Sequence, residues 1–221
     1  MPLTHPCSFP PSSSGIATAA KKSWDNILLQ FSLVEEHCRN QTSGLMKHGY
    51  ESSKKAVWAN PETGASPLTW VRALGWYFMA LVDILDWLPV EHEGYGKLMG
   101  WARQLEKALR ETQDGETGGW WLVMDGEFGG EKGKEKGNYV ESSGIAMYVY
   151  GLLKGVRMGY LEDGYRDVAM KACDGLVERF VKVVNGTGDG QEVLNWEGTV
   201  RVGSLDGKGD FEVSYFDLSL R

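Results

Sequence analysis

The chain has 221 residues, of which 42% are hydrophobic and 24% charged, enough for one sizeable core and ordinary for a globular protein. A formal net charge of −7, with no long run of lysine or arginine, excludes the basic footprint that nucleic acid or an anionic membrane surface requires. Three cysteines far apart in sequence, Cys7, Cys38 and Cys173, exclude a disulfide framework and any Cys-x-x-Cys metal or redox motif.

Met1 to Gly15 contains four prolines and a Pro-Pro-Ser-Ser-Ser-Gly run, so residues 1–20 are expected to form a disordered tail, with residues 21–221 as the folded domain. The tail lacks the basic start and apolar stretch of a secretory signal, which points to the cytoplasm. The longest apolar run, Ile145 to Leu153, is too short to cross a bilayer. From Lys21 to Cys38 the spacing of Trp24, Ile27, Leu28, Phe31 and Val34 predicts a helix, which the breaker run Asn40-Gln41-Thr42-Ser43-Gly44 ends. A long loop follows, to about Pro67.

The next helix is expected to start near Ser66-Pro67-Leu68, with serine as cap and proline in the first turn, and to stop before Pro89. It carries two opposed stripes. At about 100° per residue, Trp70, Leu74, Tyr77, Leu81, Leu85 and Leu88 fall on one side, and Arg72, Trp76, Met79, Asp83 and Asp86 on the other. A tryptophan one turn from an arginine suits a polar cavity; it is equally what a half-buried Trp76 beside a surface Arg72–carboxylate pair would look like.

Lys97 to Thr112 reads as an outer, amphipathic helix, and a glycine-rich loop from Asp114 to Tyr139 follows, with a charged, solvated tip at Gly130 to Gly137. Ser142 to Gly159 is apolar almost all round and is expected inside; Tyr165 to Val184 is amphipathic and outer again. The pattern repeats after roughly seventy residues, and Thr42-Ser43-Gly44 and Thr117-Gly118-Gly119 open equivalent loops. Inner-to-outer links are short and outer-to-inner links long, so the long loops must gather at one end. That is the plan of an all-α (α/α) toroid, whose loop-rich end holds a ligand; a plain helical bundle or solenoid has the same periodicity.

No Gly-x-Ser-x-Gly elbow, Walker loop or dinucleotide fingerprint is present, nor a histidine pair at metal spacing, so neither a cofactor nor a metal is implied. What remains is a set of aromatic and polar residues near the loop end: His48, Tyr50, Trp58, Trp70, Arg72, Trp76, Trp120, Trp121, Asn138 and Tyr139. Sugar rings stack their C–H faces on indole, while their hydroxyls and carboxylates take hydrogen bonds from His, Asn and the forked guanidinium of Arg. An acidic oligosaccharide is the ligand such a mixture suits.

Leu45-Met46-Lys47-His48-Gly49-Tyr50, Ala56-Val57-Trp58-Ala59-Asn60, Trp70-Val71-Arg72-Ala73-Leu74-Gly75-Trp76-Tyr77 and Gly137-Asn138-Tyr139-Val140-Glu141-Ser142-Ser143-Gly144 together resemble the unsaturated rhamnogalacturonyl hydrolases. These form glycoside hydrolase family 105, allied to family 88, and the resemblance runs from about Trp24 to Leu205. It implies a six-hairpin α/α toroid, with about half of the hairpins present here, acting on unsaturated galacturonyl ends of pectin-derived oligosaccharides. The reaction it implies is hydration of the C4=C5 enol ether: an aspartic acid protonates the double bond, water adds, and the hemiketal collapses. By position in the matching blocks, His48, Trp70, Arg72 and Trp76 would line the sugar subsite, Arg72 against the carboxylate and Trp76 against the ring.

The family's general acid sits in an Asp-Gly-Leu-Tyr-Met-like segment upstream of the His48 block, and that segment has no match here, so no catalytic acid is assigned. Asp125-Gly126-Glu127-Phe128 is similar to it but lies in a different repeat and reads as a loop turn. Glu141 and Asp83 read as ties to a helix end or an arginine. A noncatalytic acidic-sugar binder and a ligand-free helical scaffold therefore stand beside the hydrolase reading. A toroid short of hairpins also exposes the apolar flanks of its helices, which favours self-association.

Overall fold

Two kinds of helix alternate along the chain, one apolar enough to need neighbours on several sides and one with a single oily stripe, and they sort into an inner and an outer layer. The computed structural model describes residues 14–126, 129–185 and 192–200. Among these, the elements are α1 (Ser14–Cys38), α2 (Val71–Ile84), α3 (Tyr95–Thr112), α4 (Ser142–Arg157) and α5 (Tyr165–Phe180), followed by β1 (Val181–Asn185) and β2 (Glu192–Trp196). A 3₁₀ helix, Gly130–Lys136, sits in the loop before α4.

The inner helices α2 and α4 lie side by side, and small residues set how closely they approach. A Cβ built on Gly151 would stand 2.6 Å from ring carbons of Phe78, one on Gly75 2.7 Å from Met147 Sδ, and one on Gly144 2.5 Å from Val71. α3 packs behind α2 and α5 behind α4. Leu74, Phe78 and Leu81 of α2 meet Leu98, Leu105 and Leu109 of α3, Tyr148 and Leu152 of α4, and Ala169 and Ala172 of α5 in one buried cluster. At about 25 cal/mol per Å² of apolar surface removed from water, this cluster is the main stabilising term of the fold.

Both long loops emerge at the same end, as the alternation of link lengths requires, and there they are stitched together. Trp70 bridges Val123, Trp121 bridges Val140, and Asp125 accepts hydrogen bonds from the Thr69 amide at 2.6 Å and from Lys47 Nζ at 2.7 Å. The short links meet at the opposite end, where Tyr160 donates to Asp86 at 2.8 Å and Lys154 holds both Asp83 and Asp86 at 2.7 Å. The arrangement is that of part of an α/α toroid.

Four local boundaries differ from the sequence expectation. Helix α1 begins at Ser14 and not Lys21, because Ile16 to Ala20 propagates an established helix at little cost; the remaining tail residues, 1–13, lie outside the described residues. Helix α2 begins at Val71: Ser66 is buried and bonds His48 and Gly49, while Pro67 to Trp70 stays non-helical, with Trp70 extended and the Val71 amide donating to Leu122 O at 3.0 Å. Helix α5 stops at Phe180, where the β-branched run Val181-Lys182-Val183-Val184 pairs in antiparallel register with Glu192–Trp196. The charged tip is a 3₁₀ helix whose end is held by Asn138, which donates to Gly130 O at 3.0 Å. Glu127 and Phe128 lie outside the described residues.

Candidate functional site

The loop end is built on a turn used three times. Asn40-Gln41-Thr42-Ser43-Gly44, Asn60-Pro61-Glu62-Thr63-Gly64 and Asp114-Gly115-Glu116-Thr117-Gly118 each begin with a side-chain oxygen that accepts backbone amides, at 3.0 Å from Thr42, 2.8 Å from Glu62 and 2.7 Å from Thr117. Each ends on a glycine of positive φ, 71°, 80° and 71°, where an L side chain is strained. The spacing of Asn or Asp to Gly is the signal that reveals all three, and the second was not picked out from the sequence alone.

Between these turns the loops fix His48. Its Nδ1 lies 2.8 Å from the carbonyl of Leu68 and 3.1 Å from Ser66 Oγ. A carbonyl can only accept, so Nδ1 carries the proton and Nε2 of the neutral ring is an acceptor. Burial, the largest influence, pushes the imidazole below its ordinary 6.5, which keeps the ring neutral at pH 7. The ring stacks on Trp70 with centroids 5.6 Å apart and planes at 29°. His48 and Trp70 are thus brought together.

Arg72 and Trp76 stand one turn apart on the side of α2 that faces away from buried Val71, Leu74 and Phe78. The Arg72 side chain is 24% exposed; its Nη2 donates to the carbonyl of Val200 and lies 3.8 Å from Glu141 Oε1. Trp76 is 61% exposed, an unusual state for the largest apolar side chain on an inner helix. His48 also lines a cavity of about 520 Å³ with His37, Tyr50, Met46, Ala73 and Tyr77. Helix α2 lends that cavity Ala73, Leu74 and Tyr77 but neither Arg72 nor Trp76, so the four candidate residues fall into two pairs, His48 with Trp70 and Arg72 with Trp76, on different faces.

The three carboxylates weighed from the sequence as possible acids are engaged. Asp125 takes Thr69 and Lys47, and Asp83 takes Tyr150 at 2.8 Å and Lys154 at 2.7 Å. Glu141, wholly buried, caps α4 by accepting the Gly144 amide at 2.7 Å and also accepts Ser143 Oγ at 2.7 Å and the Val200 amide at 3.1 Å. The segment from Trp196 to Val200 is a strap across the start of α4: Trp196 Nε1 donates to Ser142 Oγ at 2.9 Å, and the Ser142 amide donates to Gly198 O at 3.0 Å. Neither the strap nor its hold on Arg72 was legible in the sequence, since it joins residues 128 positions apart. Among the described residues no group of His, Cys, Asp and Glu could hold a metal ion, and no helix is long and apolar enough to cross a membrane.

The helical fold is shared with known proteins. A glycoside hydrolase of family 105 from C. acetobutylicum superposes with a TM-score of 0.76 at 38% identity, over 88% of this chain and 51% of that one. A possible member of the same family from Salmonella enterica gives 0.60 at 25% identity, over 82% of this chain and 47% of that one. The chain therefore spans about half the length of these solved structures. Two relatives, the 24.9 kDa protein in picA locus of Rhizobium radiobacter and Protein Atu3128 of Agrobacterium fabrum, are 36% identical over 180 residues, 79% of this chain and 70% of theirs. The profile of Glycosyl Hydrolase Family 88 matches residues 14–207, a range that includes all of the described residues, and the chain belongs to that family.

Proposed function

We propose that this chain carries an acidic-sugar subsite for unsaturated galacturonyl oligosaccharides derived from rhamnogalacturonan, within a glycoside hydrolase of the enol-ether-hydrating kind. The observation that carries the reading is the Arg72–Trp76 pair: a guanidinium held over a buried carboxylate, one turn from an indole left open to solvent. The edge of the Arg72 fork left without a hydrogen bond among the described residues suits a sugar carboxylate, the Trp76 face suits the ring, and the unprotonated Nε2 of His48 accepts a hydroxyl proton. Trp70, stacked on His48, forms the wall beside it.

Turnover would require a proton donor to the double bond before water adds at the ring carbon and the hemiketal collapses. A second reading, an acidic-sugar binder without turnover, is favoured by one observation: Asp125, Glu141 and Asp83 are each committed to other contacts. The chain is incubated with an unsaturated digalacturonate while the absorbance of the conjugated double bond is followed, and binding is measured in parallel by titration calorimetry. Falling absorbance supports the hydrolase; binding at constant absorbance supports the binder. Equal affinity of wild type and Arg72→Ala for the uronide would overturn both.

A further inference from the structure

We infer that Glu141 is a positioning residue for Arg72, fixing the guanidinium that the proposed function assigns to the sugar carboxylate; the inference rests on that assignment. Arginine is a poor recognition group when loose, because its long side chain must lose about 2 kcal/mol of rotamer freedom before its fork can be aimed. Here two anchors from outside α2 hold it: the carbonyl of Val200 takes one Nη2 hydrogen, and Glu141 Oε1 lies 3.8 Å from the same nitrogen.

Glu141 is itself fixed. It is wholly buried and accepts from Gly144 N, Ser143 Oγ and Val200 N, so its two oxygens cannot swing toward solvent or toward a ligand. It also sits at the N-terminus of α4, where the aligned peptide dipoles favour a negative charge. The same Oε1 that faces Arg72 takes the Val200 amide, while the Val200 carbonyl takes Arg72, so carboxylate, strap and guanidinium form a closed three-membered loop of contacts. Within the chain the guanidinium has no contact on its remaining N–H groups among the described residues, which leaves a preorganised edge for an incoming carboxylate. Because Glu141 is sealed beneath Arg72 and has no accessible surface, it acts through the arginine and does not touch the sugar.

The test is a double-mutant cycle read by calorimetry with two probes, saturated digalacturonate and the neutral galactobiose. Arg72→Ala is expected to weaken digalacturonate roughly tenfold or more, the value of a charge-assisted contact, and to leave galactobiose unchanged. Glu141→Gln, which keeps one cap acceptor but removes the charge, is expected to weaken digalacturonate about five- to tenfold, again without effect on galactobiose, and to add nothing in the Arg72→Ala background. Glu141→Asp, which retains both charge and a favoured cap, is expected to fold and to lose less. The Arg72 Nε resonance gives a ligand-free readout: ordered and slow to exchange in wild type, and broadened in Glu141→Gln. No Arg72→Ala effect overturns the subsite reading and the inference with it. A full Arg72→Ala effect, with unaltered digalacturonate affinity and an unaltered Arg72 resonance in Glu141→Gln, overturns the inference alone. Equal losses for both probes show that Glu141 is merely structural and also overturn it.

Discussion

Glu106 is the carboxyl whose removal should strengthen this fold. It lies on α3, is 2% exposed, and among the described residues accepts a hydrogen bond only from the Glu162 amide, at 3.3 Å. Its neighbours on α3, Arg103 and Arg110, are turned to the carbonyls of Tyr160 at 3.0 Å and Gly164 at 2.8 Å. Burial therefore outweighs their attraction and raises the carboxyl from its ordinary 4.5 to about 7. Between those two values the unfolded chain has released the proton that the folded chain still binds, so stability falls as pH rises through this window and the loss is complete above 7. A rise of that size corresponds to at most about 3 kcal/mol. Glu106→Gln keeps an acceptor for the Glu162 amide and removes the titration. Urea unfolding followed by circular dichroism should show the variant about 1–3 kcal/mol more stable than wild type at pH 8, and equal or slightly less stable at pH 4.5. Parallel stability–pH curves for the two proteins would refute the reasoning.

Gly151→Ala places a Cβ 2.6 Å from the Phe78 ring and is expected to destabilise by about 1–3 kcal/mol, whereas Gly100→Ala, with nothing within 4 Å, should stabilise α3 by up to about 1 kcal/mol; thermal melts of the pair separate close packing from helix propensity. The His48 imidazole should titrate below 6.5 and show an Nδ1–H tautomer in ¹⁵N spectra, and stability should fall as pH drops below 6.5, because only the unfolded chain takes up the proton there; an Nε2–H ring would contradict the acceptor role. The exposed Leu29, Leu33 and Val34 of α1 are expected to drive concentration-dependent self-association that Leu33→Glu weakens in sedimentation velocity, and a monomeric wild type at every concentration would sink that expectation.

The layer plan was readable because it follows from periodicity and link length alone. Helices α3 and α5 show one apolar stripe each, α4 shows apolar residues all round with small ones interspersed, and these are the outer and inner positions they occupy. What failed were boundaries decided by distant partners. Ser66-Pro67 has the chemistry of a helix start, yet Asp125 captures the Thr69 amide and Leu122 captures that of Val71, so the chain stays non-helical through Trp70. Val181 to Val184 continues the helical stripe of α5 in sequence, but four consecutive residues with three β-branched side chains pair more readily with Glu192–Trp196.

The shared face of Arg72 and Trp76 in the candidate site was readable in the sequence, and its surroundings were not. Two stripes on α2 forecast that Arg72 and Trp76 would share a face, since helical geometry admits no other outcome for residues four apart. The same pattern could not say what stands under the arginine. That depends on the path of Glu197 to Val200 and on the cap chosen by α4, both remote in sequence and both in contact with Glu141. The capping role follows from its place before Ser142-Ser143-Gly144, where a carboxylate satisfies otherwise unpaired amides. Burying that charge would be costly without a cation beside it, so the cap and the arginine stabilise each other, and the face of α2 that holds Trp76 open to solvent is fixed from beneath by the neighbouring inner helix.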